Sequence, residues 1–229
     1  MLASRAAQER PDRPFTGFKL AHAVLASEDG RAGFAGLSMG AQRVYEATAE
    51  ASCVWTRRHA PPRRRCSCGF YCLNSLAEAR ALSCATENRE AVLLEVVASG
   101  RFIRYERGLR YSRQRVRAVL VGPCLCGRSA RGLVDAGRGL VGWRGLTAAC
   151  AACGANRHLV TFGSFAARLG GLVPVTPDED TASWPGPADD GLPDAAAIAA
   201  LGAEIALVHA RLDHLQTQFN RLDGGPAGS

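Results

Sequence analysis

The sequence predicts an α+β fold, with a small mixed β-sheet body and a C-terminal coiled-coil helix. Short apolar runs bounded by Gly, Pro, Asp and Ser recur between residues 15 and 173, a pattern typical of strands. From residue 198 to residue 222, apolar side chains recur every three or four positions, which indicates a helix with one apolar seam. Nine cysteines, most of them in two close groups, indicate that the body does not depend on hydrophobic burial alone.

The chain begins with a polar, Arg- and Pro-rich stretch, residues 1–14, that we predict to be disordered. The apolar runs 18–26 and 33–39 are predicted strands on either side of a turn at 28–30. The stretch before the first cysteine is either a strand around Val44–Tyr45 or a short helix.

One helix is predicted within the body, after the first cysteine group. Ser75 is a suitable N-cap, and three apolar positions then share one face: Leu76, Ala79 and Leu82. Residues 91–108 are predicted to form two strands that break near Ser99–Gly100, and residues 115–122 a third. These elements make residues 15–122 a β-rich body.

The remainder of the chain divides into three predicted segments. Residues 123–173 contain the second cysteine group around a predicted hairpin, and end in a strand or a short helix. Residues 174–193, rich in Pro, Gly and Asp, are predicted to be an acidic linker, in which Trp184 docks on the body or on a partner. Residues 194–223 form the predicted coiled-coil helix, with Asp194 as its N-cap.

The predicted C-terminal helix has a heptad seam, in which apolar residues are separated alternately by three and four positions. Its a and d positions are Ile198, Leu201, Ile205, Val208, Leu212, Leu215, Phe219 and Leu222. A seam of about three to four heptads is enough for a coiled coil, so we predict a homo-oligomer. The alternative is a helix that packs on its own body or on a helix of another protein.

Charge is unevenly distributed along the chain, whose net charge is +7. Residues 1–173 have 26 basic and 12 acidic residues, a balance of +14, whereas residues 174–229 have 2 basic and 9 acidic residues, a balance of −7. Lys19 is the sole lysine, so the positive charge is almost entirely arginine, which suits bidentate phosphate contacts. The basic body favours a polyanionic partner, and an Ala-, Arg- and Gly-rich genomic composition is the alternative explanation.

The N-terminal residues lack the apolar core of a secretion signal, and no run approaches the roughly 18–20 apolar residues of a membrane span. We therefore expect a cytoplasmic protein that has no membrane partner. In a reducing compartment, cysteines are expected to be metal ligands or buried thiols rather than disulfides.

The first cysteine group combines three thiols with one imidazole: Cys53, His59, Cys66 and Cys68. Thiolate and neutral imidazole are the ligands that a structural zinc ion prefers, so we predict a Cys3His zinc site. Pro61 and Pro62 exclude a helix between the ligands, and Gly69 permits a tight turn. His59 could instead be a surface histidine, and Cys72 is an alternative fourth ligand in place of His59 or Cys53.

The second group consists of two cysteine pairs, each followed by a glycine: Cys124, Cys126, Cys150 and Cys153. The pairs resemble the two knuckles of a zinc ribbon, although the first pair is C-x-C rather than C-x-x-C. We predict a second zinc ion here, and thus two ions for each chain. Buried thiols, an iron–sulfur cluster, or an exchange of cysteines between the two groups are the alternatives. Cys84 is predicted to be a core thiol.

From about Gly17 to Val121, the chain resembles a group of actinobacterial proteins of unassigned function. Those proteins share a cysteine, a His-Ala-Pro, a C-x-C-G followed by an aliphatic or aromatic residue and Tyr or His, and a Glu-x-Gly-aromatic-Arg turn. The matching residues are Cys53, His59–Pro61, Cys66–Tyr71 and Glu106–Arg110, with Leu109 where an aromatic residue is expected. The resemblance implies that the four residues of the first group belong together, and it implies no activity.

Arginines are concentrated in residues 101–117, with aromatic residues between them. On adjoining strands they could form a basic ribbon whose rings stack on bases. The predicted nucleic-acid contacts are Arg63, Arg64, Arg65, Arg101, Arg104, Arg107, Arg110, Arg113, Arg115, Tyr105 and Tyr111. The alternative is a sheet whose aromatic residues face the core while its arginines cover the solvent face.

These features favour a zinc-stabilised basic binding protein, nucleic-acid-associated or regulatory, that binds DNA or RNA and is made multivalent by the coiled coil. The alternative is a protein–protein adaptor or assembly subunit whose zinc ions are purely structural. The chain has no P-loop and no H-E-x-x-H, so a zinc enzyme is only the third hypothesis, and we do not expect catalysis.

Overall fold

The computed structural model of the protein describes residues 14–37, 43–53, 56, 58–83, 85, 88–180 and 184. Within these residues the chain forms eleven strands and three short helices. The strands are β1 (Phe15–Ala26), β2 (Ala32–Ala35), β3 (Val44–Tyr45), β4 (Thr48–Glu50), β5 (Phe70–Leu73), β6 (Val92–Tyr105), β7 (Gly108–Val121), β8 (Gly132–Leu140), β9 (Trp143–Ala149), β10 (Val160–Thr161) and β11 (Val175–Pro177). The helices are α1 (Leu76–Leu82), α2 (Ala151–Gly154) and α3 (Phe162–Arg168).

Strand β1 is long enough to take part in two groups of strand pairs. Its first half, from Phe15 to Ala21, pairs antiparallel with β6. Its second half pairs with β2 on one edge and with β9 on the other. The apolar run from Ala23 to Ala26 is buried throughout, as expected for a strand covered on both faces.

Strands β6 and β7 form a long hairpin that turns at Glu106 and Arg107. The predicted break near Ser99–Gly100 is wrong, because Gly100, with φ +77°, lies in a bulge after which pairing resumes at Phe102. The hairpin therefore keeps β6 continuous, and β7 begins at Gly108, earlier than predicted.

The other edge of β7 pairs with three short strands, β4 and β5 in the antiparallel sense and β11 in the parallel sense. A single bridge between Leu73 of β5 and Phe18 of β1 completes a ring of pairings, β1 to β6 to β7 to β5 and back to β1. The predicted mixed sheet is confirmed, since parallel and antiparallel pairs both occur.

Strands β8 and β9 form the hairpin predicted between the two cysteine pairs. Because β9 also pairs with β1, the segment 123–173 shares its sheet with the rest of the body. Strand β10 pairs with β8 and leads directly into α3, so this segment ends in both the strand and the helix that the sequence offered as alternatives.

Two groups of buried side chains lie on opposite faces of β1, as alternate positions along a strand require. Ala21 and Leu25 belong to the main core, which extends over β6, β7 and β8. Leu20 belongs to a smaller group, together with Ala79 of α1 and Trp184.

Helix α1 begins at the predicted N-cap, since the Ser75 hydroxyl accepts a hydrogen bond from the Glu78 backbone N–H at 3.4 Å. Ala79 is buried, but Leu82 is 47% exposed, so the predicted apolar face is wrong at the last position of the helix. Cys84, the predicted core thiol, lies outside the described residues.

The first part of the predicted linker belongs to the body. Beyond β11, the buried Asp178 accepts hydrogen bonds from Arg80 of α1, at 2.6 and 2.8 Å, and from Trp184 Nε1 at 2.7 Å. Trp184 is itself buried and packs over Gly122. The linker prediction for 174–193 is therefore wrong up to residue 180, because a Pro- and Asp-rich composition concealed a short strand and a buried ion pair.

Residues 1–13 of the predicted disordered N-terminus and the whole predicted coiled-coil helix, 194–223, lie outside the described residues. For the part of the chain that is described, the mixed-sheet body agrees with the prediction, but α+β applies only in part because the helices are few and short. No helix in this part is long and apolar enough to cross a membrane.

Candidate metal centres

The loop between β4 and β5 brings together the four ligands predicted for the first site, which we name the first metal cluster: Cys53, His59, Cys66 and Cys68. Their ligand atoms all lie within 4.8 Å of one another. Cys53 Sγ and Cys66 Sγ are 3.7 Å apart, and His59 Nε2 is 3.3 Å from Cys68 Sγ. A tetrahedral ion with bonds of about 2.3 Å to sulfur separates its sulfur ligands by about 3.8 Å, so this spacing suits one metal ion.

A glycine permits the turn that follows the last ligand. Gly69 has φ +119°, a backbone conformation that residues with a Cβ rarely adopt. A Cβ at this position would also lie 3.0 Å from Cγ of Arg110. Before the cysteine pair, the Cys66 N–H donates to the Arg63 carbonyl at 3.0 Å, which closes a second turn.

A buried arginine from the sheet stabilises the same loop. The Arg110 guanidinium of β7 donates hydrogen bonds to the Arg63 carbonyl, at 3.0 Å, and to the Cys66 carbonyl. It also donates to the Tyr71 hydroxyl at 3.2 Å, and that hydroxyl donates to the Ser67 carbonyl at 2.7 Å. These bonds attach the backbone around Cys66 to a central strand, and so position two of the ligands.

The structure excludes the alternative ligand Cys72. This residue lies on β5, and its Sγ faces Gly17 of β1 rather than the other thiols. It is absent from both ligand groups among the described residues, so the alternative in which it replaces Cys53 or His59 is wrong.

The second metal cluster consists of the four predicted thiols: Cys124, Cys126, Cys150 and Cys153. Their Sγ atoms also lie within 4.8 Å of one another, with 3.7 Å between Cys126 Sγ and Cys150 Sγ. The β8–β9 hairpin brings the two pairs together, because Gly132 pairs with Ala149 and the Arg131 N–H donates to the Ala149 carbonyl at 2.8 Å.

Each cysteine pair of the second cluster lies in a turn. The Gly127 N–H donates to the Cys124 carbonyl at 2.7 Å, and Gly127 has φ +82°. Cys150 caps the short helix α2, where its sulfur accepts a hydrogen bond from the Cys153 N–H at 3.5 Å. The C-x-C spacing of Cys124 and Cys126, although one residue shorter than C-x-x-C, therefore still places both thiols in the cluster.

The cluster thiols differ in proton affinity. In the second cluster, the hydrogen bond from the Cys153 backbone lowers the pKa of Cys150, whereas hydrogen bonds with the neighbouring thiols raise the pKa of Cys153. Burial raises the pKa of the Cys68 thiol to about 11, so its proton must be displaced by the metal ion itself.

Each cluster provides four protein ligands, which is the arrangement of a structural rather than a catalytic metal site. Both clusters are compatible with zinc. The sulfur spacing of 3.7 Å in each is far longer than the about 2.05 Å of a disulfide. The two sets also remain separate, so the alternative in which they exchange cysteines is wrong.

Two of the predicted nucleic-acid contacts are wrong. Arg110 is 4% exposed and Tyr111 is fully buried, because the first four residues of β7 are covered on both faces. Arg110 stabilises the loop of the first metal cluster, and the Tyr111 hydroxyl donates to Gln114 Oε1 at 3.0 Å within the core. The alternative in which aromatic residues of the ribbon face the core holds for Tyr111.

The remaining predicted contacts are exposed or half-buried: Arg63, Arg64, Arg65, Arg101, Arg104, Arg107, Arg113, Arg115 and Tyr105. Arg107 forms an ion pair with Glu78 at 2.7 Å, and Arg113 forms one with Glu50 at 2.6 Å. Part of the positive charge of the ribbon is therefore compensated locally.

Two features of this region were not predicted from the sequence. Tyr71 is 47% exposed, as is Tyr105, and the centres of both rings lie close to the Arg110 guanidinium, at 5.7 and 5.9 Å. Lys19 lines a cavity of about 940 Å³. The position of Tyr71 directly after C-x-C-G-F was the available signal for the first feature, and no local sequence pattern indicates the cavity.

A mixed β-sheet body with two four-ligand Cys/His clusters defines a β protein that has candidate structural metal sites. Comparison of the chain with known protein families, with curated proteins and with solved structures finds no match. The resemblance to the actinobacterial group therefore stays a prediction.

Proposed function

We propose that the protein binds single-stranded nucleic acid on a surface that two structural zinc ions stabilise. The surface, which we name the arginine–tyrosine patch, consists of Arg63, Arg64, Arg65, Tyr71 and Tyr105. The observation that supports it best is a pair of half-exposed tyrosine rings close to one guanidinium, beside a loop with three exposed arginines.

The two tyrosines favour stacking on bases. Each ring exposes nearly half of its surface, and single-strand-binding proteins use such rings because every base offers a flat face. The Tyr71 hydroxyl is fixed by its bonds with Arg110 and Ser67, so the ring is oriented before a ligand arrives. Preorganisation lowers the entropy lost on binding.

The three loop arginines favour contact with phosphates. Among the described residues, no carboxylate forms an ion pair with Arg63, Arg64 or Arg65, in contrast to Arg107 and Arg113. Unpaired guanidinium groups attract a polyanion and release its counterions on binding. The net charge of +14 over residues 1–173 also attracts a polyanion.

The first zinc ion would connect metal binding to this function. Arg63–Arg65 lie between the ligands His59 and Cys66, so an ion bound by both residues limits the motion of the three arginines. Thiolate and imidazole ligands in tetrahedral sites are typical of zinc. Removal of the metal is therefore expected to weaken nucleic-acid binding as well as stability.

Fluorescence anisotropy with labelled oligothymidine and oligouridine, measured over a series of salt concentrations, tests the proposal. We expect binding that weakens with salt, and a triple change of Arg63, Arg64 and Arg65 to Gln that reduces the logarithmic salt slope by about 2, since each phosphate contact to a single strand contributes about 0.7. Tyr71→Ala and Tyr105→Ala should each weaken binding about tenfold with little change in slope.

A matched control removes the same charge elsewhere. Arg128, Arg131 and Arg157 are also exposed, lie close in sequence to the cysteine pairs of the second metal cluster, and form no ion pair among the described residues. Their triple change to Gln should weaken binding much less than the patch variant. Absence of binding at low salt, or an equal loss in both triple variants, would reject the patch as the binding surface.

A further inference from the structure

The sole lysine of the chain lies at a core-facing position of a central strand. Side chains alternate between faces along β1, and Ala21, Ala23 and Leu25 all belong to the main core. Lys19 follows the same alternation and points to the same face. A lysine in such a position is rare unless it is paired, because burial of its charge is costly.

The neighbours of Lys19 provide aromatic rings in place of an anion. Its Nζ lies 4.7 Å from the centre of the Tyr45 ring and 5.1 Å from the centre of the Phe70 ring. Among the described residues, no carboxylate forms an ion pair with it. Burial lowers the pKa of Lys19 to about 8, so most of the amine is still charged at pH 7.

Three buried ionisable groups on other strands of the body, Tyr45, Tyr111 and Cys72, are neutral at pH 7. Burial raises the pKa of Tyr45 on β3 and of Tyr111 on β7 above the ordinary tyrosine value. Burial also raises the pKa of the Cys72 thiol on β5 to about 11. None of these three groups therefore provides an anion to balance the Lys19 ammonium.

Lys19 also lines the cavity of about 940 Å³, a volume within the range of small-molecule sites. The apolar and aromatic part of the lining includes Val44, Leu109 and the two rings that contact the ammonium, Tyr45 and Phe70. The exposed charged residues Arg43, Glu46, Glu50 and Arg107 also line this space. A mainly apolar cavity with a core-facing cation that forms no ion pair has the character of a site for an apolar anion.

We propose that this cavity binds a small amphipathic carboxylate, with the carboxylate at the Lys19 ammonium and the apolar part against Tyr45 and Phe70. The carboxylate provides the missing counter-charge in a poorly hydrated environment, where such a pair is strong. The mainly apolar wall favours an alkyl or aryl acid over a nucleotide, whose base edges require polar partners. Tyr71 and Tyr105 also line the cavity, so the test uses Lys19, which is not part of the arginine–tyrosine patch.

Calorimetric titration of the full chain with octanoate and octanamide tests this proposal. The two probes have the same alkyl chain and differ in charge. We expect octanoate to bind at least about tenfold more tightly than octanamide, as a charged hydrogen bond allows. In Lys19→Met, octanoate should bind about tenfold more weakly, while octanamide changes less than about twofold.

Two controls keep this result interpretable. Arg43→Gln removes another cation of the cavity lining and should leave the preference for octanoate unchanged. Thermal unfolding and metal content show whether Lys19→Met is folded, and the comparison of the two probes on the wild-type protein needs no variant. Equal affinity for both probes, no saturable binding of octanoate, or a preference that Arg43→Gln removes would each overturn the proposal.

Because the chain has one lysine, covalent labelling gives an independent measurement. Reductive methylation with formaldehyde and cyanoborohydride converts the ε-amine to a dimethylamine, and peptide mapping separates this product from the modified N-terminus. We expect octanoate to slow methylation of Lys19 several-fold and octanamide to leave its rate unchanged. Equal protection by the two probes would contradict a carboxylate site.

Discussion

The two metal clusters have similar distances between their ligand atoms, but different secondary structure holds the ligands. In both, two sulfur atoms lie 3.7 Å apart and all four ligand atoms lie within 4.8 Å. The first metal cluster takes every ligand from one loop, between β4 and β5, that has no regular secondary structure in its described residues. The second joins the two ends of the β8–β9 hairpin, whose strands pair without any metal. Similar coordination can therefore serve different structural purposes.

This difference predicts which cluster depends more on its ion. Backbone pairs such as Gly132 with Ala149 keep the thiols of the second cluster near one another in any case. In the first cluster, the protein itself provides mainly the bonds from Arg110 and the turn at Gly69. We infer that the ion organises the loop of the first cluster, whereas in the second it stabilises a hairpin that is already formed.

The largest expected effect comes from removal of one ligand in each cluster. Cys66→Ser should lower the free energy of unfolding by more than about 4 kcal/mol, because the loop loses its ion and leaves buried groups unsatisfied. Cys150→Ser should cost only about 2 kcal/mol, because the hairpin retains its backbone hydrogen bonds. Denaturant unfolding measures both values, and mass spectrometry under native conditions should show one metal ion lost in each variant.

A larger loss of unfolding free energy in Cys150→Ser than in Cys66→Ser would contradict this inference. Loss of both metal ions from either variant would contradict it as well. Chelation of the wild-type protein provides a further check, since hydrogen exchange should then rise in residues 58–69 before it rises in β8 and β9. Simultaneous exchange in both regions would show that the two clusters unfold as one unit.

Arg110→Met removes the protein support of the first cluster without altering a ligand. The carbonyl oxygens of Arg63 and Cys66 lose their buried donors, which should cost about 3 kcal/mol and weaken the retention of one metal ion. Competition with a chelator measures the affinity of each cluster. The second cluster should keep its affinity, and Arg115→Met, at an exposed position of the same strand, should change little. An unchanged first cluster would show that its ion needs no support from β7.

The clusters were the most predictable part of the molecule, because cysteines and a histidine at short spacings restrict one another whatever surrounds them. The positions of Arg110 and Tyr111 were not predictable, because only the tertiary structure shows that the start of β7 is covered on both faces whereas Arg113 and Arg115 of the same strand are exposed. The core-facing position of Lys19 was likewise not predictable, because it depends on which face of β1 packs against the other strands. Trp184 and Asp178 lie in a Pro- and Asp-rich stretch, where composition indicates a linker but a distant arginine provides the partner.

Arg80 and Asp178 form a buried ion pair that does not depend on a metal ion. Its contribution to stability can therefore be compared with the contributions of the two metal clusters. Burial alone would raise the pKa of Asp178, but hydrogen bonds from Arg80 and Trp184 lower it below its ordinary value. A carboxyl group with a lowered pKa adds stability at pH values above its unfolded pKa, and this stability is lost as pH falls through the folded pKa. Asp178→Asn should therefore cost about 2–3 kcal/mol at pH 7.

The difference in unfolding free energy between wild type and Asp178→Asn should shrink below about pH 4, where the carboxyl group of the unfolded chain takes up its proton. The measurement uses this difference, because loss of metal at low pH affects both proteins equally. Metal content at pH 7 should remain unchanged in the variant. A difference that is constant from pH 7 to pH 3 would show that ionisation of Asp178 contributes no stability.

The smallest expected effects come from the glycines that turn the chain at each cluster. Gly127→Ala forces a residue with a Cβ into φ +82°, which should cost about 1 kcal/mol. Gly69→Ala should cost about 2 kcal/mol, because φ +119° is less accessible and the new Cβ would press on Cγ of Arg110 at 3.0 Å. Thermal unfolding of the two metal-loaded variants measures the difference. A larger loss for Gly127→Ala would contradict the view that the loop of the first cluster has the more constrained backbone.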